Sequence, residues 1–441
     1  MIVNIINTVS TRITLAVLSI ALLLLNSNFL GSEGLGTIGI LVLEITIYLL
    51  ISNVVCGGSL IYFTSRKSAN ALLLPAYCWI VLSAAFYYSL ILLIPGLDSE
   101  YATAILVLGF LQSAIGANLG LLAGQQRFKT FNFVALVQAI VQIGSLCIFY
   151  FVLNNQSVDA FIKSTFIAYC LAFILSFVRL VPTLEKPIVW PTLGLFKELI
   201  QYGFYLQIAN ITQLLNYRLN YFLLDYFSGR AAVGKLMAGV QLSEGLLLPS
   251  KSIGAVQYAK ISSRKSKANA ARLSINLLKV VFLFTLPLVT LLMLIPEVIY
   301  TNLLGTNFNE TPLVISFLSV GIVALACEVI LSRFFAGTGQ QKVNATSSSI
   351  GLVVTIIAGF SLIPTLGLVG AAVCASLSYV SIFLFLFYKI IATTNTQAQD
   401  FILKKQDFIY LKRVFRKVQK SYCKSLSDFT PAGRSTKKPS A

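Results

Sequence analysis

The run Ile13-Thr-Leu-Ala-Val-Leu-Ser-Ile-Ala-Leu-Leu-Leu-Leu-Asn-Ser-Asn-Phe-Leu30, followed at once by Gly31-Ser-Glu-Gly-Leu-Gly36, decides the class of fold. Residues 13–30 carry no charge and approach the roughly 20 apolar residues that a membrane-crossing helix needs. The run is too long for the apolar part of a cleaved signal peptide, has no Ala-x-Ala-like exit, and is followed by more runs of the same kind. It reads as a first transmembrane helix.

Working outward, the same signal recurs along the chain. Spans are expected at 13–30, 38–63, 71–94, 102–123, 131–153 and 161–181, then a polar stretch with Pro182 and Pro187, then 199–224, 233–253, 273–295, 313–335, 344–363 and 367–391. Composition agrees. Hydrophobic residues make up 57% of 441, charged residues 11%, and mean hydropathy is +0.84, whereas soluble domains are about a quarter charged. A soluble core could not hide that much apolar surface, so lipid must be its solvent.

The net charge of +18, from 33 Lys and Arg against 15 Asp and Glu, sits between the apolar runs and in the tail. With the N-terminus inside, one set of loops collects Arg12, Arg66, Lys67, Arg127, Lys129, Arg179, Lys186, Lys197, Lys260, Arg264, Lys265, Lys267, Arg272, Arg333, Lys342 and the basic tail. The opposite set holds only Lys163, Arg230 and Lys235. That asymmetry puts both termini in the cytoplasm. It accounts for the basic balance without nucleic acid as a partner. Beyond residue 391 the chain is polar and basic, and two readings stand: disorder, or a short amphipathic piece around Val414, Phe415 and Val418 on the anionic leaflet.

The two halves echo each other. Gly31-Ser-Glu-Gly-Leu-Gly36 is matched by Gly229-Arg-Ala-Ala-Val-Gly234, Leu93-Ile-Pro95 by Leu294-Ile-Pro296, and Ala123-Gly-Gln-Gln-Arg127 by Gly339-Gln-Gln-Lys342. Three anchors in register predict parallel repeats of six spans each, a transporter arrangement in which one half rocks against the other. The expected fold is thus an all-α integral membrane protein of about twelve transmembrane helices in two six-helix bundles, 1–190 and 191–391, with a basic cytoplasmic tail, 392–441. A duplicated bundle without transport is the alternative.

Intramembrane polar residues mark the candidate site, because such groups face a cavity or a partner. Gln207, Asn210, Gln213, Tyr217 and Asn220 share one arc of the seventh span, with Arg218 at its edge. Gln241, Glu244 and Lys251 share a face of the eighth, where Pro249 can act as a hinge. Arg12 stands at the inner mouth of the first span. Arg12, Arg218 and Lys251 suit an anionic cargo, Arg binding phosphate bidentately. Gln207, Asn210, Tyr217 and Gln241 suit sugar hydroxyls. Glu44, Glu244 and Glu328 are candidates for ion coupling or for buried cation partners. Lys279 and Arg333 read as snorkelling residues. Polar groups that merely join helices by hydrogen bonds are the competing reading, for Gln138 and Gln142 above all.

With Phe29-Leu-Gly-Ser-Glu-Gly-Leu-Gly36 after the first span, Gly124-Gln-Gln-Arg-Phe-Lys129 after the fourth, and the second-half echo through Asp225 and Gly229–Gly234, residues 1–391 resemble the polysaccharide repeat-unit flippases. These are the O-antigen and capsule transporters of the multidrug/oligosaccharidyl-lipid/polysaccharide exporter superfamily. The resemblance implies a MATE-like, V-shaped, alternating-access transporter with a cationic lumen, in the bacterial inner membrane. Its cargo would be an undecaprenyl-pyrophosphate-linked oligosaccharide whose lipid tail stays in the membrane lipid. Partners would include a polysaccharide polymerase and a chain-length regulator, and Arg12, Arg218 and Lys251 match the lumenal cations by position. Peptidoglycan-precursor flippases are similar but usually have fourteen spans, for which there is no room.

Two rival functions remain open to the sequence. A cation-coupled drug exporter would be expected to have an acid-dominated cavity. A membrane polymerase or glycosyltransferase would need a sizeable extramembrane catalytic loop. Asp98-Ser-Glu100 reads as a solvated turn rather than a metal site. With no His and with Cys residues scattered through apolar runs, no metal, cofactor or catalytic group is expected.

Overall fold

The computed structural model describes residues 2–64, 67–93, 100–184, 193–262, 267–394 and 396–401. Arg66, Asp98, Lys186, Arg264, Lys265, the Leu93-Ile-Pro95 anchor beyond Leu93, and the tail beyond 401 lie outside the described residues. Within them every regular element is helical: α1 Ile2–Cys56, α2 Gly58–Thr64, α3 Ala69–Leu93, α4 Ala102–Gly124, α5 Phe128–Cys147, α6 Val158–Leu180, α7 Leu193–Ser228, α8 Arg230–Gly245, α9 Leu248–Ser262, α10 Lys267–Leu294, α11 Glu297–Leu304, α12 Thr311–Gly337 and α13 Gln341–Thr394. Lipid cannot hydrogen-bond a bare main chain, so a chain this apolar must satisfy its N–H and C=O groups within helices.

Among the described residues, eight helical stretches are long and apolar enough to cross a membrane, nine if the bent pair α8–α9 is one span. Two of the eight, Thr11–Thr64 and Gln341–Thr394, run 54 residues each. Each is broken at one glycine in a non-helical conformation, Gly31 (φ 67°, ψ −167°) and Gly367 (φ 54°, ψ −124°). A side chain at either φ would be strained, which makes glycine the residue that can turn the chain there. The stretch after Leu30 is therefore no loop: only Gly31 leaves the helix, and Ser32–Gly36 already belong to the next one. Helix α7, 36 residues long, is outside the apolar set because amides replace aliphatic side chains along it. Helices α8 and α9 meet at 48°, just before Pro249. Proline disfavours helical geometry in the residue before it and gives up a main-chain donor, so the expected hinge is a standing bend.

In the N-terminal half α4 is central, flanked by α1, α3, α5 and α6; in the C-terminal half α12 is central, flanked by α8, α9, α10 and α13. Each half has its own apolar core. Helix α7 serves both. Its first turns place Leu195 and Leu199 in the N-terminal core, and its last turns place Tyr221, Leu223 and Leu224 in the C-terminal one. The outward faces stay apolar, with Val81, Phe86, Ile174, Val178, Leu291, Val320, Ile357, Phe360 and Leu384 all exposed. An apolar belt on that scale is a lipid-facing surface.

Candidate functional site

The two halves meet along α1 and α8, and that junction changes character from one end to the other. At the Gly31 end it is backbone against backbone. A Cβ added to Gly36 would lie 1.8 Å from the Arg230 carbonyl oxygen, and one added to Gly234 would lie 1.9 Å from that of Ser32. Small residues let membrane helices approach until main chains touch. The repeated anchors thus pack against each other. Leu23 and Leu35 of α1 close the same end against Ala238, Tyr300, Leu304, Phe308 and Ile315.

Further along, the helices part. A cavity of about 430 Å³ between Gly39, Met237 and Gln241 reaches down to Arg218 and Glu244. Gln241 lines it and donates to the Ser19 carbonyl of α1 (2.9 Å). Beyond that pair opens a second cavity of about 690 Å³, lined by Arg12, Asn210, Gln213, Tyr217, Arg218, Glu244, Lys251, Glu328, Ser332 and Arg333. Seven of the ten residues that the sequence assigns to cargo binding or ion coupling come together here, from α1, α7, α8, α9 and α12.

Four cationic side chains, Arg12, Arg218, Lys251 and Arg333, share this cavity with two carboxylates, Glu244 and Glu328. Two positive charges are therefore in excess. Arg218 donates to the Tyr221 hydroxyl (2.7 Å), which orients its guanidinium, and its other nitrogen is 3.6 Å from Glu244. That long, half-exposed contact is worth about 1 kcal/mol or less, so Arg218 can exchange Glu244 for a better anion. Glu328 faces Ser332, Arg333 and Lys251.

The other sequence candidates lie apart. Gln207 is buried and donates to the Asn53 carbonyl of α1 (3.0 Å), while Asn210 donates to Gln207 (3.0 Å). Asn220, on the same stripe, is buried with its amide toward the Ala371 carbonyl and its oxygen accepting from the Cys374 thiol. It joins helices. Glu44 is buried within the N-terminal half, in electrostatic reach of Tyr87, and lines neither cavity. Arg333 lines the larger cavity although its place near a helix end reads as snorkelling. Lys279 is buried mid-helix in α10 rather than snorkelling. Among the described residues no three His, Cys, Asp or Glu side chains converge as a metal site.

A family model described as polysaccharide biosynthesis protein matches residues 27–313, well over half of the chain. The chain belongs to that family. The match spans both halves of the junction, from the Gly31 turn through α11. Its fold is similar to that of two solved membrane transporters. One is a MATE-family multidrug-resistance transporter in an inward-facing conformation (TM-score 0.67, 16% identity, covering 88% of this chain and 96% of that one). The other is the lipid II flippase MurJ in an inward closed conformation (TM-score 0.67, 14% identity, covering 98% and 94%). A curated relative, an uncharacterized membrane protein of Methanocaldococcus jannaschii, is 24% identical over 329 residues. That alignment covers 72% of this chain, which spans about 64% of the relative's length. Family and fold together make the chain a multi-pass helical membrane protein of the polysaccharide biosynthesis family.

Proposed function

We propose that the chain is a flippase that moves polyprenyl-pyrophosphate-linked oligosaccharide repeat units, on the undecaprenyl carrier, across the bacterial inner membrane by alternating access. The observation that carries this reading is the cavity with two positive charges in excess, set between the halves and closed off at the Gly31 end. A diphosphate cannot cross lipid uncompensated; charge-assisted hydrogen bonds from Arg218, Arg12, Arg333 and Lys251 replace its lost hydration. A cationic drug gains nothing from such a cavity, since Glu244 already faces Arg218 and Glu328 already faces Arg333 and Lys251.

On this reading the Arg12 end is cytoplasmic, because Arg127, Lys129, Arg179, Arg272, Lys342 and Lys389 gather there against Lys163, Arg230 and Lys235 at the other. Counting α1 with α2 and α13 as two spans each, and α7 and the α8–α9 pair as one each, makes twelve, in bundles 1–190 and 191–391. Glu244 and Glu328 couple an ion by releasing their cations as the phosphates arrive, whereas Glu44 would act from within the N-terminal half. The flipped unit then passes to a polysaccharide polymerase and its chain-length regulator. Deleting the gene in a host without a redundant transporter is expected to leave lipid-linked repeat units facing the cytoplasm and to abolish surface polysaccharide. Normal surface polysaccharide in that strain would remove the proposal.

A further inference from the structure

A third cavity, of about 550 Å³, lies on the N-terminal side of the junction and differs from the first two in having no charged residue among the described residues that line it. Its polar groups are all amides: Asn53 of α1, Gln112 of α4, and Gln138 and Gln142 of α5. Gln138 and Gln112 are 3.4 Å apart, a weak contact, and Gln142 donates to Thr165 (2.9 Å). These contacts use only part of the donor and acceptor capacity of a primary amide. Phe131 forms part of the wall and Gly116 part of the floor. A Cβ added at Gly116 would meet nothing within 4 Å. These amides bridge α5 to α4 and α6 and line open space as well.

The compartment adjoins the cationic cavity. Thr46 and Leu50 line the cationic cavity and Asn53 lines this one, on one continuous face of α1. Arg12 and Leu15 repeat the pattern a short way along, three residues being about 4.5 Å of helix. We infer that this amide-lined compartment holds the glycan of the cargo while the cationic cavity beside it holds the phosphates. The inference rests on the flippase reading. In a sugar diphosphate the first sugar is bonded directly to phosphate, so its subsite must lie within a few ångströms of the phosphate site. Sugar hydroxyls donate and accept at once, as amides do, and the apolar face of a pyranose packs on a phenyl ring. The volume falls within the roughly 300–1,000 Å³ of small-ligand pockets.

The test compares two probes on the purified, lipid-reconstituted protein: undecaprenyl diphosphate without sugar, and lipid-linked repeat units extracted from the deletion strain. Gly116→Trp fills the compartment without displacing a neighbour at Cβ, and a combined Gln138→Leu, Gln142→Leu variant removes its amides. Both are expected to weaken the sugar-bearing probe by about tenfold or more while undecaprenyl diphosphate changes by less than about twofold. Equal weakening of both probes, or no weakening of either, overturns the inference and leaves the flippase reading standing. The same holds if the wild-type chain binds the two probes equally. Should it bind neither, the flippase reading falls and takes this inference with it.

Discussion

The two ends of one junction use opposite physics. At the Gly31 end, Gly36 and Gly234 bring main chains into contact and leaves no room for a side chain. At the Arg12 end the same pair of halves encloses charges, amides and about 690 Å³ of space. Dry backbone contact seals by shape and is intolerant of a single added methyl. A charged cavity binds by chemistry and tolerates changes in shape but not in charge. Each end predicts its own kind of lesion.

The largest expected effect is at the seal. Gly234→Leu would drive its side chain into the Ser32 carbonyl, 1.9 Å from the new Cβ. Transport should be lost, and a Gln241→Cys reporter in that background should react with a membrane-impermeant thiol reagent added from outside. Full export with an unlabelled reporter would break the comparison. Next comes the cavity. Charge-assisted hydrogen bonds contribute roughly 1.5–3 kcal/mol each, so Arg218→Ala with Lys251→Ala should cut export by at least about a hundredfold at unchanged protein level. Quantifying surface polysaccharide against membrane abundance checks this, and unchanged export would exclude both residues.

A smaller, opposite effect sharpens the contrast. Glu244→Gln removes the carboxylate 3.6 Å from Arg218 and raises the positive excess in the cavity. Undecaprenyl diphosphate should bind about threefold to tenfold tighter, with a shift in stability below about 1 kcal/mol. Weaker binding would mean that the pair shapes the cavity rather than competing with cargo. Smallest of all is Lys235→Ala at the sealed end, which breaks an ion pair with Glu310 at 2.7 Å. An exposed pair of this kind contributes about 0.2–1 kcal/mol, so thermal stability and export should both stay close to wild type. A large loss would show that charge, as well as shape, holds the seal.

Much of the scaffold was legible in the chain. Residues 102–123, 161–181 and 313–335 anticipate α4, α6 and α12 to within a few positions, because a lipid-crossing helix must be an uninterrupted apolar run of known length. The repeated Gly31–Gly36 and Gly229–Gly234 anchors could be seen as related. That they touch could not, since nothing in a repeat says which copy faces which. Helical periodicity put Gln207, Asn210, Tyr217 and Asn220 on one arc, and the fold divides that arc between a cavity wall and two buried helix junctions. Arg333 was hidden for the converse reason. Its position near a helix end suits an interfacial cation, and only the neighbouring helices show that it faces a cavity.

By itself the sequence determined the solvent, the helical secondary structure and the supply of cations within the chain. These follow from hydropathy, length and residue type, which are local properties. Tertiary structure alone decided that the glycine anchors close one end, that Arg12, Arg218, Lys251 and Arg333 converge at the other, and that Glu44 stays apart from them. Those outcomes depend on the orientation of one helix against another. That orientation is set by packing over whole faces, which no stretch of chain contains.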